Sequence, residues 1–318
     1  MHAILINDDK SLAWREVPDP VRKDHEMIID VHAAALNRAD LMQREGNYPP
    51  PPGWPEWMGL EVAGTVAEAP AGGRWKPGDR VCALLGGGGY AEKVAVPVDM
   101  ALPVPAGLSM PEAAAIPEAF ATSYLNLCIE GGMKAGDTVF IQAGASGLGM
   151  AAVQLAKAFG AKVVTTVGSS DKECFVRGLG ADVVINRKTG STAEILRRHP
   201  VDIAMDCAAG PELGPCLATM ARGGRWIVIA TLGGAESTLD MVDFFKRGVK
   251  LIGSTLRSRS DEMKARILAG LETELWDSFS SGRIRVLLHE TLPITRAGEA
   301  HEILRKQENL GKVVLTLR

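Results

Sequence analysis

The chain predicts an α/β fold in which a doubly wound parallel sheet is joined to a β-rich domain. Three observations carry this. Asp137-Thr-Val-Phe-Ile-Gln-Ala-Gly-Ala-Ser-Gly-Leu-Gly149 runs from an apolar strand into a turn bearing Gly144, Gly147 and Gly149, and a helix follows that Gly160 closes. From Ala113 onward, strand-like and helix-like segments alternate, the pattern of a parallel sheet with helical crossovers. The first 120 residues instead hold short β-like runs separated by proline and glycine turns.

In chain order, the β-rich part offers Met27–Ala33, Gly64–Ala67, Arg80–Leu85 and Tyr90–Val96, punctuated by Lys76-Pro-Gly-Asp79 and Gly86–Gly89. Pro49-Pro-Pro-Pro52-Gly53 is a stiff loop beside Trp54 and Trp57. The second part offers six strands, at Thr138–Gln142, Lys162–Val167, Val183–Asn186, Val201–Asp206, Arg225–Ala230 and Val249–Ser254. The tail adds a helix at Asp261–Trp276, a strand at Val286–Glu290, a helix at Thr295–Lys306 and a strand at Lys312–Leu317. Alternating Val313, Leu315 and Leu317 suit a strand buried on one face. The tail is expected to return to the first domain. The domains are then 1–120 completed by 261–318, with 121–260 inserted, and the active site in the cleft between them.

Composition narrows the function. A length of 318 residues suffices for two cores, and 46% hydrophobic with 23% charged residues is the balance of soluble globular proteins. A formal charge of −3 argues against nucleic acid as the main partner, although Arg257-Ser-Arg259 is a local basic cluster. No apolar stretch approaches the roughly 20 residues of a membrane span, and the N-terminal apolar run is too short for a signal peptide. Five cysteines (Cys82, Cys128, Cys174, Cys207 and Cys216) form no C-x-x-C pair, so the reducing cytoplasm fits better than a disulfide framework.

The glycine turn is a dinucleotide cradle. Backbone N–H groups and a helix N-terminus face a pyrophosphate, and small residues let it approach. An NAD-preferring site places Asp or Glu about 20 residues further on, for the ribose 2′-OH. Here Gly168 holds that place, followed by Ser169 and Lys172, and the next strand ends Asn186-Arg187-Lys188. A hydroxyl, an ammonium and a guanidinium suit a 2′-phosphate, so NADPH is preferred over NADH. Asp171 is the nearest acid.

At Leu36-Asn-Arg-Ala-Asp-Leu-Met-Gln-Arg-Glu-Gly-Asn-Tyr48-Pro-Pro-Pro-Pro-Gly53 the chain resembles the quinone oxidoreductase branch of the medium-chain dehydrogenases/reductases, most of all the p53-inducible type. The resemblance continues through Gly59-Leu-Glu61-Val-Ala-Gly64, Ala115-Ile-Pro-Glu-Ala-Phe120, Ala143–Gly149, Phe245-Lys-Arg-Gly248 and Leu256-Arg-Ser-Arg259, and ends at Asn309-Leu-Gly-Lys-Val-Val314. It implies a GroES-like β-rich catalytic domain with an inserted Rossmann domain, NADPH-dependent quinone reduction, and a homodimer paired through edge strands, here Val249–Ser254. By the same resemblance Asn37 and Tyr48 line the nicotinamide and substrate cleft. Thr122, Gly144, Ser146, Gly147 and Leu148 belong to the cofactor set, as do Gly168, Ser169 and Lys172 at the 2′-phosphate. Leu256, Arg257 and Asn309 match cleft-edge positions. Arg187 departs from the pattern, since relatives carry Tyr there.

The zinc alcohol dehydrogenases of this superfamily use a Cys, the His of a Gly-His-Glu motif and a later Cys as catalytic ligands. This chain has Asn37 in the first motif, Gly59-Leu60-Glu61 in the second, and no four-cysteine lobe. His2, His25, His32, His199, His289 and His301 show no ligand spacing, so no metal site is expected. Glu61 reads as a buried acid tied to backbone or to an Arg, and Asn37 doubles as a cap for a helix at Arg38–Arg44. Without a Lewis acid, a quinone or another conjugated carbonyl is the substrate class that needs least activation. Hydride transfer from NADPH is expected, with Tyr48 and Asn37 orienting the carbonyl. Two other readings share the architecture: a zinc-independent enal or enone reductase, and a non-catalytic NADPH-binding scaffold or RNA-associated protein.

Overall fold

A computed structural model describes residues 1–317. The chain divides into two compact units, Met1–Ala121 with the residues from Arg257 on, and Thr122–Leu256.

The first unit opens with the antiparallel pair β1 (His2–Ile6) and β2 (Leu12–Glu16). β3 (Glu26–Ala35) is long, carries the β-branched Ile28, Ile29 and Val31, and is buried along nearly its whole length. Next come α1 (Arg38–Arg44), β4 (Glu61–Glu68), β5 (Arg80–Leu84), β6 (Lys93–Pro97) and β7 (Ala101–Pro103). α2 (Met110–Ala114) starts at Ser109, whose hydroxyl oxygen accepts the Glu112 N–H while Glu112 accepts the Ser109 N–H, a reciprocal capping box. α3 (Pro117–Tyr124) starts in this unit, and the π-helical stretch that continues it, Leu125–Glu130, belongs to the second.

The second unit contains β8 (Thr138–Ile141), α4 (Gly147–Ala158), β9 (Lys162–Val167), α5 (Ser170–Gly178), β10 (Val183–Asn186), α6 (Thr192–Arg198), β11 (Ile203–Asp206), α7 (Leu213–Leu217), β12 (Arg225–Val228), α8 (Met241–Arg247) and β13 (Lys250–Gly253). The six strands are parallel in the order β10-β9-β8-β11-β12-β13. The order reverses beside β8, the strand that feeds the glycine turn, and a doubly wound sheet binds its ligand at such a switch point. β9 is buried from Val163 to Val167, as expected of a strand with helices on both faces. Phe140 and Trp226 meet in this core with ring centroids 5.8 Å apart. Trp226 is fully buried, and truncating such a side chain to alanine costs about 3–5 kcal/mol.

The chain then re-enters the first unit through α9 (Asp261–Ser280), β14 (Leu288–Pro293), α10 (Ala297–Arg305) and β15 (Lys312–Thr316). α9 begins where Ser260 Oγ accepts the Met263 N–H. The seven-stranded sheet runs β14-β15-β3-β4-β5-β7, with β6 also paired to β3.

The tail differs from the sequence reading in three ways. α9 runs one turn past Trp276, and the strand expected at Val286–Glu290 lies further on, at Leu288–Pro293. β15 is buried on both faces from Lys312 to Leu315, where helices α10 and α2 pack against it while β14 and β3 pair with its two edges.

Candidate functional site

In the second unit, β8 delivers the chain into a turn built for close backbone approach. Ala143 takes a left-handed φ of 54° and its N–H donates to Thr166 Oγ1 at 3.0 Å. A Cβ on Gly149 would stand 2.3 Å from the Ala143 carbonyl oxygen, and one on Gly144 would stand 2.2 Å from Thr165 Oγ1. Neither position admits a side chain. Ser146 caps α4 by accepting the Gly149 N–H at 3.0 Å, and Gly147 and Leu148 open that helix. The free N–H groups and positive dipole end of a 12-residue helix are suited to a pyrophosphate.

The corner after β9 is cationic. A Cβ on Gly168 would meet Arg187 Nη2 at 3.2 Å, so the guanidinium lies against the position where an acid would stand. Lys172 is held below the ordinary lysine range, first by burial and then by the like charges of Arg187 and Lys188. Lys188 joins this cluster although the sequence reading did not single it out. Ser169 is the N-cap residue of α5, yet its side chain makes no capping hydrogen bond. Glu173, the nearby acid on α5, accepts Asn186 Nδ2 at 2.8 Å. Repelling cations around a side-chain-free position fit a 2′-phosphate.

In the first unit, Glu61 is fully buried at the start of β4. Its Oε1 accepts from Lys312 Nζ at 2.5 Å and from Asn37 Nδ2 at 3.0 Å, and its Oε2 accepts the Glu118 N–H at 2.9 Å. Of the two partners expected for Glu61, backbone or an arginine, the backbone N–H of Glu118 is present, and the cation beside the carboxylate is a lysine. Asn37 stands at the N-cap of α1, where its N–H donates to Asp40 Oδ2 at 2.7 Å. Its carboxamide donates to Glu61 and to the Ala35 carbonyl, and its Oδ1 accepts from Lys312 at 2.9 Å. In this arrangement both amide hydrogens are committed, and none is left for a substrate carbonyl.

Tyr48 is half-buried at the edge of the proline loop. Arg257 lies over its ring, 4.7 Å from guanidinium carbon to centroid. The same guanidinium donates to the carbonyls of Tyr48 and Gly86 and to Gln43 Oε1, at 3.1, 2.8 and 3.0 Å. Arg257 is therefore a buried anchor of the Tyr48 segment, not part of an exposed basic patch. Burial, reinforced by the negative field of Glu118, pushes the Tyr48 phenol above its ordinary range. It stays protonated and able to donate.

The remaining sequence candidates are dispersed. Leu256 is buried, Asn309 Nδ2 donates to the Gly311 carbonyl within its own turn at 2.8 Å, and the Thr122 carbonyl accepts Asn126 Nδ2 at 2.7 Å. Lys312 is the residue that sequence reasoning missed. Its signal was the Gly-Lys pair inside the motif Asn309–Val314, but a lysine opening a strand ordinarily points to water.

Two such units, a doubly wound sheet with a glycine-turn cradle and a β-rich unit, define a medium-chain dehydrogenase/reductase. Residues 23–106 match the alcohol dehydrogenase GroES-like domain, and residues 147–271 match the zinc-binding dehydrogenase family. The quinone oxidoreductase of Sus scrofa is 30% identical over 95% of this chain and 92% of its own length. The acryloyl-coenzyme A reductase of Metallosphaera sedula is 27% identical over 99% and 100%. Among solved structures, an NAD-dependent alcohol dehydrogenase superposes with a TM-score of 0.87 at 29% identity, covering all of both chains. The quinone oxidoreductase of Thermus thermophilus, solved also with NADPH, gives 0.84 at 29%, again covering all of both. The chain belongs to the quinone oxidoreductase family, and it is an oxidoreductase with a nicotinamide cofactor.

The zinc implied by the name of the second matching family does not fit these residues. Among the described residues no three His, Cys, Asp or Glu side chains come together, and the acid in the cluster, Glu61, is already paired with an ammonium. No helix among them is long and apolar enough to cross a membrane.

Proposed function

We propose that this chain is an NADPH-dependent quinone oxidoreductase that works without a metal. The observation that carries the cofactor choice is Arg187 against the side-chain-free Gly168, with Lys172 close enough to feel the charges of Arg187 and Lys188. Gly144, Ser146, Gly147, Leu148 and Gly149 hold the pyrophosphate. Gly168, Ser169, Lys172 and Arg187 hold the 2′-phosphate, and Thr122, Leu256 and Asn309 complete the cofactor set. When bound, the dinucleotide supplies the hydride.

Tyr48 is the group that meets the substrate carbonyl. Its raised phenol keeps a proton to donate, and Arg257 fixes the ring so that the donor is aimed before substrate arrives. Asn37, its amide spent inside the protein, orders the start of α1. A quinone suits this set because its electron-poor ring requires orientation more than Lewis-acid activation.

Assembly is proposed to be a homodimer through the free edge of β13 in the second unit. Leu251 on that strand is 42% exposed, and Phe245 on α8 is 66% exposed, with Leu232, Met241 and Val242 also open to solvent. An apolar strand edge is ordinarily covered. A cytoplasmic location accords with five free cysteines.

Parallel assays test the reading: a quinone and an enone, each with NADPH and with NADH. Faster turnover of the quinone with NADPH is expected. The relationship to acryloyl-coenzyme A reductase favours the enone as the second substrate class, and faster turnover of the enone would overturn the quinone assignment. Tight NADPH binding without turnover of either would return the scaffold reading.

A further inference from the structure

We propose that Lys312 is a positioning residue, which sets the Asn37 carboxamide and, through it and Glu61, the surroundings of Tyr48. The inference deepens the carbonyl-reductase reading, on which its kinetic arm rests.

Lys312 is 3% exposed, and all three protons of an ammonium find acceptors: the Leu36 carbonyl at 2.7 Å, Asn37 Oδ1 at 2.9 Å and Glu61 Oε1 at 2.5 Å. An ammonium only donates. It therefore forces the oxygen of the Asn37 amide toward itself and the nitrogen toward Glu61, with no ambiguity about the flip. The Glu61 carboxylate, which only accepts, holds the amide nitrogen from the other side, so both orientations become open only when both charges are removed.

Two routes lead from this point to Tyr48. Asn37 starts α1, and Gln43 on the same helix accepts from Arg257, which covers the Tyr48 ring. Glu61 Oε2 receives the Glu118 N–H, and the Glu118 carboxylate acts on the Tyr48 phenol. The ammonium is thus the shared anchor of both helix starts, at α1 and α3. It also joins them to β15, 251 residues from Glu61 in sequence.

A simpler role is possible for any buried ion pair, namely holding β15 in its sheet. The double variant Lys312→Met/Glu61→Gln separates the two. It removes both charges together and leaves no unpaired buried ion, a replacement that proteins often tolerate without loss of stability. The Asn37 carboxamide is followed as one of only six asparagine side-chain amide signals in protein labelled with 15N-asparagine. Its assignment comes from Asn37→Asp.

In the double variant, near-parental thermal stability is expected together with a displaced Asn37 amide signal. The kcat for quinone should fall roughly tenfold to a hundredfold, with NADPH affinity unchanged. In the single variant Lys312→Met, Glu61 loses its counter-ion. Thermal stability should then fall well below that of the double variant, as expected when one ion of a buried pair is left alone. A double variant with the parental Asn37 signal and parental kcat overturns the proposal. If the parent itself turns over no carbonyl, the amide signal alone decides: a displaced signal upholds the positioning of Asn37 while the functional reading fails, and an unchanged signal overturns the proposal.

Discussion

Tyr90 donates its phenolic hydrogen to Asp40 Oδ2 at 3.1 Å, inside a part of the first unit where both side chains are fully buried. Asp40 also accepts the N–H groups of Asn37 and Gly59, so three donors converge on one carboxylate. Burial nevertheless outweighs these hydrogen bonds and pushes Asp40 up to about 6. On the other side of Tyr90, His301 meets its ring edge-on with centroids 6.1 Å apart. Both imidazole nitrogens of His301 are buried without a hydrogen-bond partner, and burial brings its pKa down to about 3.

These two groups give opposite pH dependences. Asp40 has a raised folded pKa, so its contribution to stability is complete below 3.8 and is lost as pH rises through about 6. His301 has a lowered folded pKa, so its contribution is complete above 6.5 and is lost as pH falls toward about 3. Over about pH 4 to 6 the two slopes oppose each other. Asp40→Asn should make stability climb with pH across that window, and His301→Phe should make it fall, each by on the order of 3 kcal/mol. Thermal unfolding across the window checks this. Parallel curves for parent and both variants would refute it.

The glycine turn makes a sharper prediction, because two glycines should respond in opposite senses. Gly149→Ala places a Cβ against the backbone oxygen of Ala143 at 2.3 Å, so the turn must open. NADPH affinity should fall more than tenfold, measured by quenching of protein fluorescence. Gly178 on α5 has nothing within 4 Å of its Cβ position. Gly178→Ala should raise stability by about 0.4–1 kcal/mol and leave cofactor affinity unchanged.

Much of the fold is legible in the sequence because its signals are local. The apolar run of β9 and the Ser-Gly-Leu-Gly start of α4 each specify an element within a dozen residues. The site is less legible because its contacts are long-range. Asn37 announces a helix start, but its amide partners are Glu61, 24 residues on, and Lys312, 275 residues on. Arg257 has the sequence context of an exposed basic pair, and only the fold brings Gln43, Tyr48 and Gly86 around it. Both-sided burial of β15 likewise depends on the helices α10 and α2 packed against it, which no periodicity within Lys312–Leu317 encodes.

Cofactor preference should follow charge at the Gly168 corner. Lys172→Ala and Arg187→Ala each remove a charge-assisted contact to a 2′-phosphate. Each should narrow the ratio of NADPH to NADH in kcat/KM by roughly tenfold to a hundredfold, with NADH kinetics unchanged. Because Lys172 is held down partly by Arg187, each single variant relieves the cation that remains, and the double variant should lose more than the sum of the singles in free energy. An unchanged ratio in both single variants would remove the phosphate assignment.

Tyr48→Phe isolates the hydroxyl while keeping the ring under Arg257. Turnover of the quinone should fall about tenfold, the value of one oriented hydrogen bond, and NADPH affinity should hold. Equal loss of both would mean that Tyr48 serves the cofactor instead of the carbonyl.

The apolar edge of the second unit carries the last prediction. α8 forms for local reasons: Asp240 accepts the N–H groups of Val242 and Asp243, and Gly248 ends the helix in a left-handed conformation. Packing within its own unit does not account for Phe245, which is left largely exposed just before β13 in the chain, a strand that lacks a second neighbour. If that edge pairs with its copy, Leu251→Glu should place like charges across a two-fold axis and halve the mass seen by sedimentation. Phe245→Glu should weaken the dimer without touching the strand. Because neither side chain is buried in the unit, both variants should keep the parental unfolding temperature when extrapolated to monomer. A parent that sediments as a monomer at all concentrations would leave the apolar edge without this explanation.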